Sequence, residues 1–130
     1  MSAAPFATQR RGFTLIEMLV VMTVVALLLS IAAPRYAEHV DRAREAVLKQ
    51  NLASLRDALD KFYADRARYP ADLQELVKQR YMREVPLDPF TDRTDSWVVG
   101  APAGQSEGAV ADVHSGASGV AKDGSTYARW

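Results

Sequence analysis

The chain has 130 residues, 16 basic and 16 acidic side chains, and no cysteine. This length is enough for one modest domain. The zero net charge gives no support to a nucleic-acid-binding surface. The absence of cysteine excludes disulfides and thiolate metal sites.

An apolar run extends from Phe13 to Ala33 and contains no Lys or Arg. Its polar residues are few: Thr14, Glu17, Thr23 and Ser30. As a helix the run would span roughly 32 Å, close to the hydrocarbon thickness of a bilayer, about 30 Å. The length and composition therefore favour a membrane-spanning helix.

Two other interpretations of this run remain open. A buried helix of a soluble domain is rarely so long in so small a protein. A secretory signal peptide would use Arg10 and Arg11 as its basic region, with cleavage before Ala33. The run is longer than most signal peptides allow, and Glu17 would have no use in a discarded segment. The basic pair instead places the start of a membrane helix in the cytoplasm.

The residues around the start of the run form a recognisable motif. The stretch Gly12-Phe13-Thr14-Leu15-Ile16-Glu17, after a basic pair and before an unbroken apolar helix, resembles the type IV pilin and pseudopilin signature. The resemblance implies that prepilin peptidase removes residues 1–12 as a cytoplasmic leader by cutting between Gly12 and Phe13. It also implies that the new amine of Phe13 is methylated and that the apolar helix, residues 13–33, is retained.

Glu17 has a specific expected role in such a protein. A carboxylate buried in hydrocarbon without a partner is costly, and cleavage after Gly12 would create a positive amine at Phe13. We expect the Phe13 amine of an incoming subunit to meet Glu17 of a subunit already in the filament. This pair would set the axial register between subunits. The alternative is that Glu17 is an incidental polar residue near the membrane interface.

Pro34 is expected to break the helical pattern where the apolar run stops, because proline removes a backbone donor. It could end the helix or leave a point that loosens during filament packing. Helical periodicity resumes at once, so one long helix is predicted over residues 13–64, amphipathic in its second half. Its predicted apolar stripe comprises Tyr36, Val40, Ala43, Val47, Leu48, Leu52, Leu55, Leu59 and Phe62.

After Tyr69-Pro70, the apolar positions Leu73, Leu76, Val77 and Tyr81 predict a short helix. Three strands are then predicted at 97–99, 110–113 and 127–130, between glycine-rich loops. The predicted fold class is α+β: a long N-terminal helix packed on a small antiparallel sheet. Residues 34–130 would form the periplasmic domain.

Later motifs extend the resemblance over most of the chain. They are the segment from Asp65 to Pro70 followed by Leu73 and Leu76, the turn Pro86–Phe90, and Trp130. They are similar to the major pseudopilin of type II secretion systems. Type IV pilins usually close a C-terminal loop with a disulfide, which this chain cannot form.

The resemblance implies a function, a location and partners. The chain would be a structural subunit of a periplasmic pseudopilus that drives protein export, held in the bacterial inner membrane by a single span until it assembles. Its partners would be further copies of itself, minor pseudopilins, prepilin peptidase and the inner-membrane assembly platform. The alternatives are a pilin of a type IV pilus, acting in adhesion, motility or DNA uptake, and a small secreted binding module.

Calcium is the one cofactor that the resemblance brings into consideration. Major pseudopilins typically bind it in their last loop through aspartates. Here that last loop comprises residues 115–125. It has Ser118 near an expected aspartate position and Asp123 as its carboxylate, with Lys122 beside it. Calcium requires several oxygen ligands, so the preferred expectation is a loop held by its own hydrogen bonds, without a cofactor.

Catalysis is not expected. His39 and His114 have no second histidine or cysteine at ligand spacing. The serines of the glycine-rich loops have no nucleophile-elbow pattern around them. Asp88, Asp92 and Asp95 lie in a turn-rich stretch that accounts for them.

Overall fold

The computed structural model describes residues 12–104 and 109–130. The elements in chain order are helix α1 (Leu15–Arg66), helix α2 (Leu73–Lys78), strand β1 (Val98–Gly100), strand β2 (Asp112–His114) and a 3₁₀ turn (Tyr127–Arg129). The chain divides into two compact units, the first ending at His39 and the second running from Val40 to Trp130. The predicted α+β class, with one long helix and a small antiparallel sheet, is confirmed.

The core of the second unit is built on the predicted stripe of α1, but only on its later part. Burial begins at Leu48 and continues through Leu52, Leu55, Ala58, Leu59 and Phe62. Tyr36 is 72 % exposed and Val47 is 47 % exposed, and Ala43 is exposed as well, so the prediction was wrong for these three residues. The helical period alone could not show where the rest of the short domain would cover the helix.

Within residues 12–104 and 109–130, the sheet has two strands rather than three. β1 and β2 pair antiparallel, with Val99 opposite Val113, and Val113 belongs to the same buried cluster as the leucines of α1. The prediction of a third strand at 127–130 was wrong. The amides of Arg129 and Trp130 donate to nearby carbonyls, those of Thr126 and Tyr127, so this segment closes as a 3₁₀ turn.

The predicted short helix is present as α2, and its start is well capped. Asp72 accepts a hydrogen bond from the amide of Glu75 at 2.8 Å, while Glu75 Oε2 accepts the amide of Ala71 at 2.7 Å. The Arg68 guanidinium donates to Glu75 Oε1. The hydrogen bond from Arg68, followed by that from the amide of Ala71, lowers the pKa of the Glu75 carboxyl. Local capping therefore explains why a helix of so few residues forms here.

Candidate functional site

The first turn of α1 is capped by a side chain next to the predicted cleavage site. Thr14 Oγ1 accepts a hydrogen bond from the amide of Glu17 at 3.2 Å, and the Thr14 carbonyl accepts the amide of Met18. Thr14 has no predicted role in cleavage or filament contact, although Thr14 followed by Glu17 is a capping-box pattern. Glu17 therefore lies in the first turn, where the helix dipole favours a negative charge.

The apolar part of α1 has an uncovered surface. Every large apolar side chain from Phe13 to Ile31 is exposed, including Phe13 at 78 % and Ile16 at 75 %. Within the described residues, α1 is the one helix long and apolar enough to cross a membrane; its most apolar window has a mean hydropathy of 2.6 and is 0 % buried. So much contiguous apolar surface in water is unfavourable, so this segment requires an apolar environment.

The hydroxyl groups within this segment are satisfied by the helix itself. Thr23 Oγ1 donates to the Leu19 carbonyl at 2.8 Å, and Ser30 Oγ donates to the Leu27 carbonyl at 2.7 Å. Side-chain donors bonded in this way can enter hydrocarbon without an unmet hydrogen bond. Glu17 is the one charged side chain of the segment 13–33. A lipid or apolar protein surrounding supplies no water to solvate its carboxylate.

The predicted cleavage site lies at the edge of the described residues. Gly12 precedes the helix in open space, since a Cβ built there would meet no atom within 4 Å, and Phe13 is exposed. The predicted leader lies outside the described residues, apart from Gly12. Gly12 and Phe13 are therefore accessible, as a protease site has to be.

Pro34 does not end α1. The helix is continuous from Leu15 to Arg66 with Pro34 inside it, so a break at Pro34 is not found in this subunit. The physical reason is that proline's fixed φ is helical and that it removes a single donor, the one that would bond to the carbonyl of Ser30. A loosening of this point during assembly remains a prediction.

The last loop uses Asp123 for bonds within the loop. Asp123 Oδ1 accepts the amide of Ser125 at 2.9 Å and the Ser125 hydroxyl at 2.5 Å. Ser125 Oγ in turn accepts the indole N–H of Trp130 at 2.7 Å. The bonds from Ser125, followed by a smaller effect of the Lys49 charge, lower the pKa of Asp123. Ser118, the other predicted metal ligand, is exposed.

Arg56 of α1 joins three distant parts of the chain. Its Nε donates to Asp112 Oδ1 at 3.0 Å, and its Nη2 donates to the main-chain oxygens of Val113 and Trp130 at 3.0 and 2.7 Å. Burial raises the pKa of Asp112, but the amide of Val113 and then Arg56 outweigh this effect, so the net pKa is lowered. His114 Nδ1 also lies 2.6 Å from the Trp130 oxygen.

The turn that contains Asp88 has a structural role that sequence reasoning missed. Asp88 and Ser115 are both 0 % exposed. Asp88 Oδ1 accepts the amide of Phe90 at 2.9 Å, and Oδ2 accepts the Ser115 hydroxyl at 2.5 Å. Gly116 is required beside them, because a Cβ there would lie 2.0 Å from the carbonyl oxygen of Ser96. Nothing in the spacing of Asp88 along the chain distinguishes it from the exposed Asp92.

Comparison with known proteins places these features in a family. The model of the prokaryotic N-terminal methylation motif matches residues 8–33. Type II secretion system core protein G of Pseudomonas aeruginosa is 30% identical over 63% of this chain and 69% of its own length. The chain belongs to the family of this core protein G. The Klebsiella pneumoniae member is 31% identical over 63% of this chain and 70% of its own length.

The chain is also similar to a type IV pilin. The type IV major pilin protein PilA of Myxococcus xanthus is 33% identical over 53% of this chain and 31% of its own length. No solved structure matches the chain. The predicted relationship to pilins and pseudopilins is confirmed, and the apolar helix and the methylation motif fit a membrane-anchored subunit.

Proposed function

We propose that this chain is the structural subunit of a pseudopilus, a periplasmic filament that drives protein export by type II secretion. The observation that carries the proposal is the uncovered apolar helix from Phe13 to Ile31 in a member of the core protein G family. A separate unit from Val40 to Trp130 has its own buried core. One part of the chain therefore has a complete core, and the other requires an apolar surrounding.

The apolar helix has an apolar environment in two successive places, the inner membrane and the filament. In the inner membrane it spans the bilayer, with its start in the cytoplasm and residues 34–130 in the periplasm. In the filament it packs against the same helix of other subunits. The transfer exchanges one apolar environment for another, so the hydrophobic effect changes little and close packing with specific polar contacts decides association. Glu17 is the group in the segment that can provide such a contact.

Processing prepares the subunit for this transfer. Prepilin peptidase cuts between Gly12 and Phe13, and the amine of Phe13 is then methylated and pairs with Glu17 of a neighbouring subunit. The family match over residues 8–33 and the open surroundings of Gly12 support this order. Minor pseudopilins and an inner-membrane assembly platform are the further partners of a subunit of this kind. The role is mechanical rather than catalytic.

A type IV pilus subunit is the second candidate, favoured by the similarity to the Myxococcus xanthus pilin. Deletion of the gene, followed by complementation, distinguishes the two functions. We expect secreted proteins to accumulate inside the mutant cells, with surface pili and twitching motility unchanged. Loss of pili and motility with normal secretion would instead establish the pilin function.

The complemented cells, which express the chain, show whether it is processed as a subunit or released as a secreted module. Mass spectrometry of the mature protein is expected to show a methylated Phe13 at its N-terminus. A chain that starts at Ala33 would contradict the filament function, because the apolar helix would have been removed.

A further inference from the structure

The resemblance to major pseudopilins implies calcium in the last loop, and the side chains of that loop do not fit it. Calcium takes roughly six to eight oxygen ligands, with carboxylates among them. In the parts of the chain that the structure describes, no three His, Cys, Asp or Glu side chains come close enough to hold a metal ion. The loop carboxylate of Asp123 already accepts two hydrogen bonds from Ser125 through one oxygen.

The charge near Asp123 is also unsuitable for a cation. Lys49 of α1 lies over the ring of Trp130, with Nζ 4.6 Å from the ring centroid, and its charge contributes to the lowered pKa of Asp123. A divalent ion bound at Asp123 would be repelled by this ammonium group. The indole of Trp130 is held in turn by its hydrogen bond to Ser125.

The loop is attached to α1 at two further points. Glu45 Oε1 accepts the Tyr127 hydroxyl at 2.9 Å and the amide of Lys122 at 3.3 Å. Arg56 holds the main-chain oxygen of Trp130 at 2.7 Å. Glu45 and Arg56 are about three helical turns apart, which places them on one face of α1 roughly 16 Å from each other. Lys49 lies between them in sequence.

We infer that Glu45, Lys49 and Arg56 of α1 form a metal-free clamp that fixes the last loop, in place of a bound calcium ion. Glu45 holds the loop at Lys122 and the 3₁₀ turn at Tyr127. Lys49 covers the indole of Trp130, and Arg56 holds the Trp130 main chain. Charge-assisted hydrogen bonds of this kind are stronger than neutral ones. The clamp is independent of the proposed filament function, because it acts within the unassembled subunit.

Thermal unfolding of the full mature chain in detergent tests the clamp. The melting temperature is measured in EDTA and across a calcium titration that passes the range of extracellular calcium modules, roughly 10⁻⁴ to 10⁻³ M. We expect the same melting temperature throughout and no binding heat by calorimetry. A melting temperature that rises with calcium concentration would overturn the inference, since a ligand of the folded state stabilises it.

Variants of the clamp supply the second measurement. Arg56→Gln is expected to lower the melting temperature by several degrees and to speed proteolysis of the last loop. Lys61→Gln is the matched control, because Lys61 lies on the same helix and pairs only with exposed Asp57 in the described structure, at 2.9 Å. Equal melting temperatures for the two variants would contradict the clamp. If Arg56→Gln fails to fold, Tyr127→Phe is the milder variant, because it removes only the hydrogen bond to Glu45. The calcium titration of the unmodified chain then still tests whether the loop binds calcium.

Discussion

Ser115 Oγ donates a hydrogen bond to Asp88 Oδ2 at a distance of 2.5 Å, and the two residues lie 27 positions apart in the chain. Both side chains are fully buried. The pair joins the turn after α2 to the segment that follows β2, and Ser115 Oγ also accepts the amide of Ala117 at 3.1 Å. A buried carboxylate is tolerated here because hydroxyl and amide donors replace the water that it loses.

Removal of the hydroxyl should therefore destabilise the domain. Ser115→Ala leaves Asp88 Oδ2 and the amide of Ala117 without this partner, and a buried group left unpaired costs about 1–3 kcal/mol. The free energy of unfolding from urea denaturation measures the loss. Ser118→Ala is the control, because Ser118 is exposed in the same loop and should change stability by no more than about 0.5 kcal/mol. Equal stability of the two variants would mean that the buried pair contributes little.

Glu17→Leu should separate insertion from assembly. The variant removes a cost of about 2.5–3.5 kcal/mol for an acidic residue at the bilayer centre, less near the interface, so it should enter the membrane and be processed normally. It should nevertheless assemble poorly, because the Phe13 amine of the next subunit loses its partner. Filament yield after shearing is the measurement. Thr23→Val, which changes a polar side chain of the same helix, should assemble normally; wild-type yield for Glu17→Leu would show that Glu17 is incidental.

Gly12 should be required for processing. Gly12→Leu places a branched side chain where the peptidase needs an unhindered backbone, so the leader with Arg10 and Arg11 should stay attached. Intact mass spectrometry and membrane fractionation should find the unprocessed chain in the membrane fraction. A variant with the same mature mass as the unmodified protein would place the cut elsewhere.

Pro34 should loosen α1 during filament packing. Pro34→Ala restores the donor that can bond to the carbonyl of Ser30, and alanine is about 3 kcal/mol more favourable than proline inside a helix. Slower hydrogen exchange across residues 30–38 and a lower filament yield are the expected results. A filament reconstruction in which the unmodified helix runs straight through this stretch, with all its remaining hydrogen bonds, would contradict the prediction.

The Tyr127 hydroxyl should lose its proton at a higher pH than an ordinary tyrosine does. Burial, followed by the hydrogen bond to Glu45, raises the pKa of Tyr127 from 10.0 to about 12. The folded state therefore holds this proton more tightly than the unfolded state, and the associated stability is present below pH 10.0 and lost as the pH rises towards 12. The phenolate absorbance, compared between the unmodified chain and Tyr127→Phe, should locate this titration. The free energy of unfolding should also fall more steeply with pH in the unmodified chain; equal slopes would show that Tyr127 is not shifted.

Local sequence patterns determined the main elements of this protein. The uninterrupted apolar run after Gly12 predicts the first part of α1, and the leucines from Leu48 onwards predict the buried face of its second part. These predictions succeed because a helix bonds within four residues and repeats its faces every 3.6 residues, so a short stretch contains the information. The motif around Glu17 is equally local, and it was enough to identify the family.

Only the tertiary structure decided which polar side chains hold the domain together. Arg56 reaches the main chain of Trp130 across 74 positions, and the burial of Asp88 depends on a serine beyond β2. Residues 127–130 have the composition of a strand, yet the amides of Arg129 and Trp130 close a 3₁₀ turn. The Tyr127 amide donates to the distant Gly119 carbonyl. A polar side chain has no period that reveals its partner. Its role is set by which distant segment the packing of the core brings within hydrogen-bond distance.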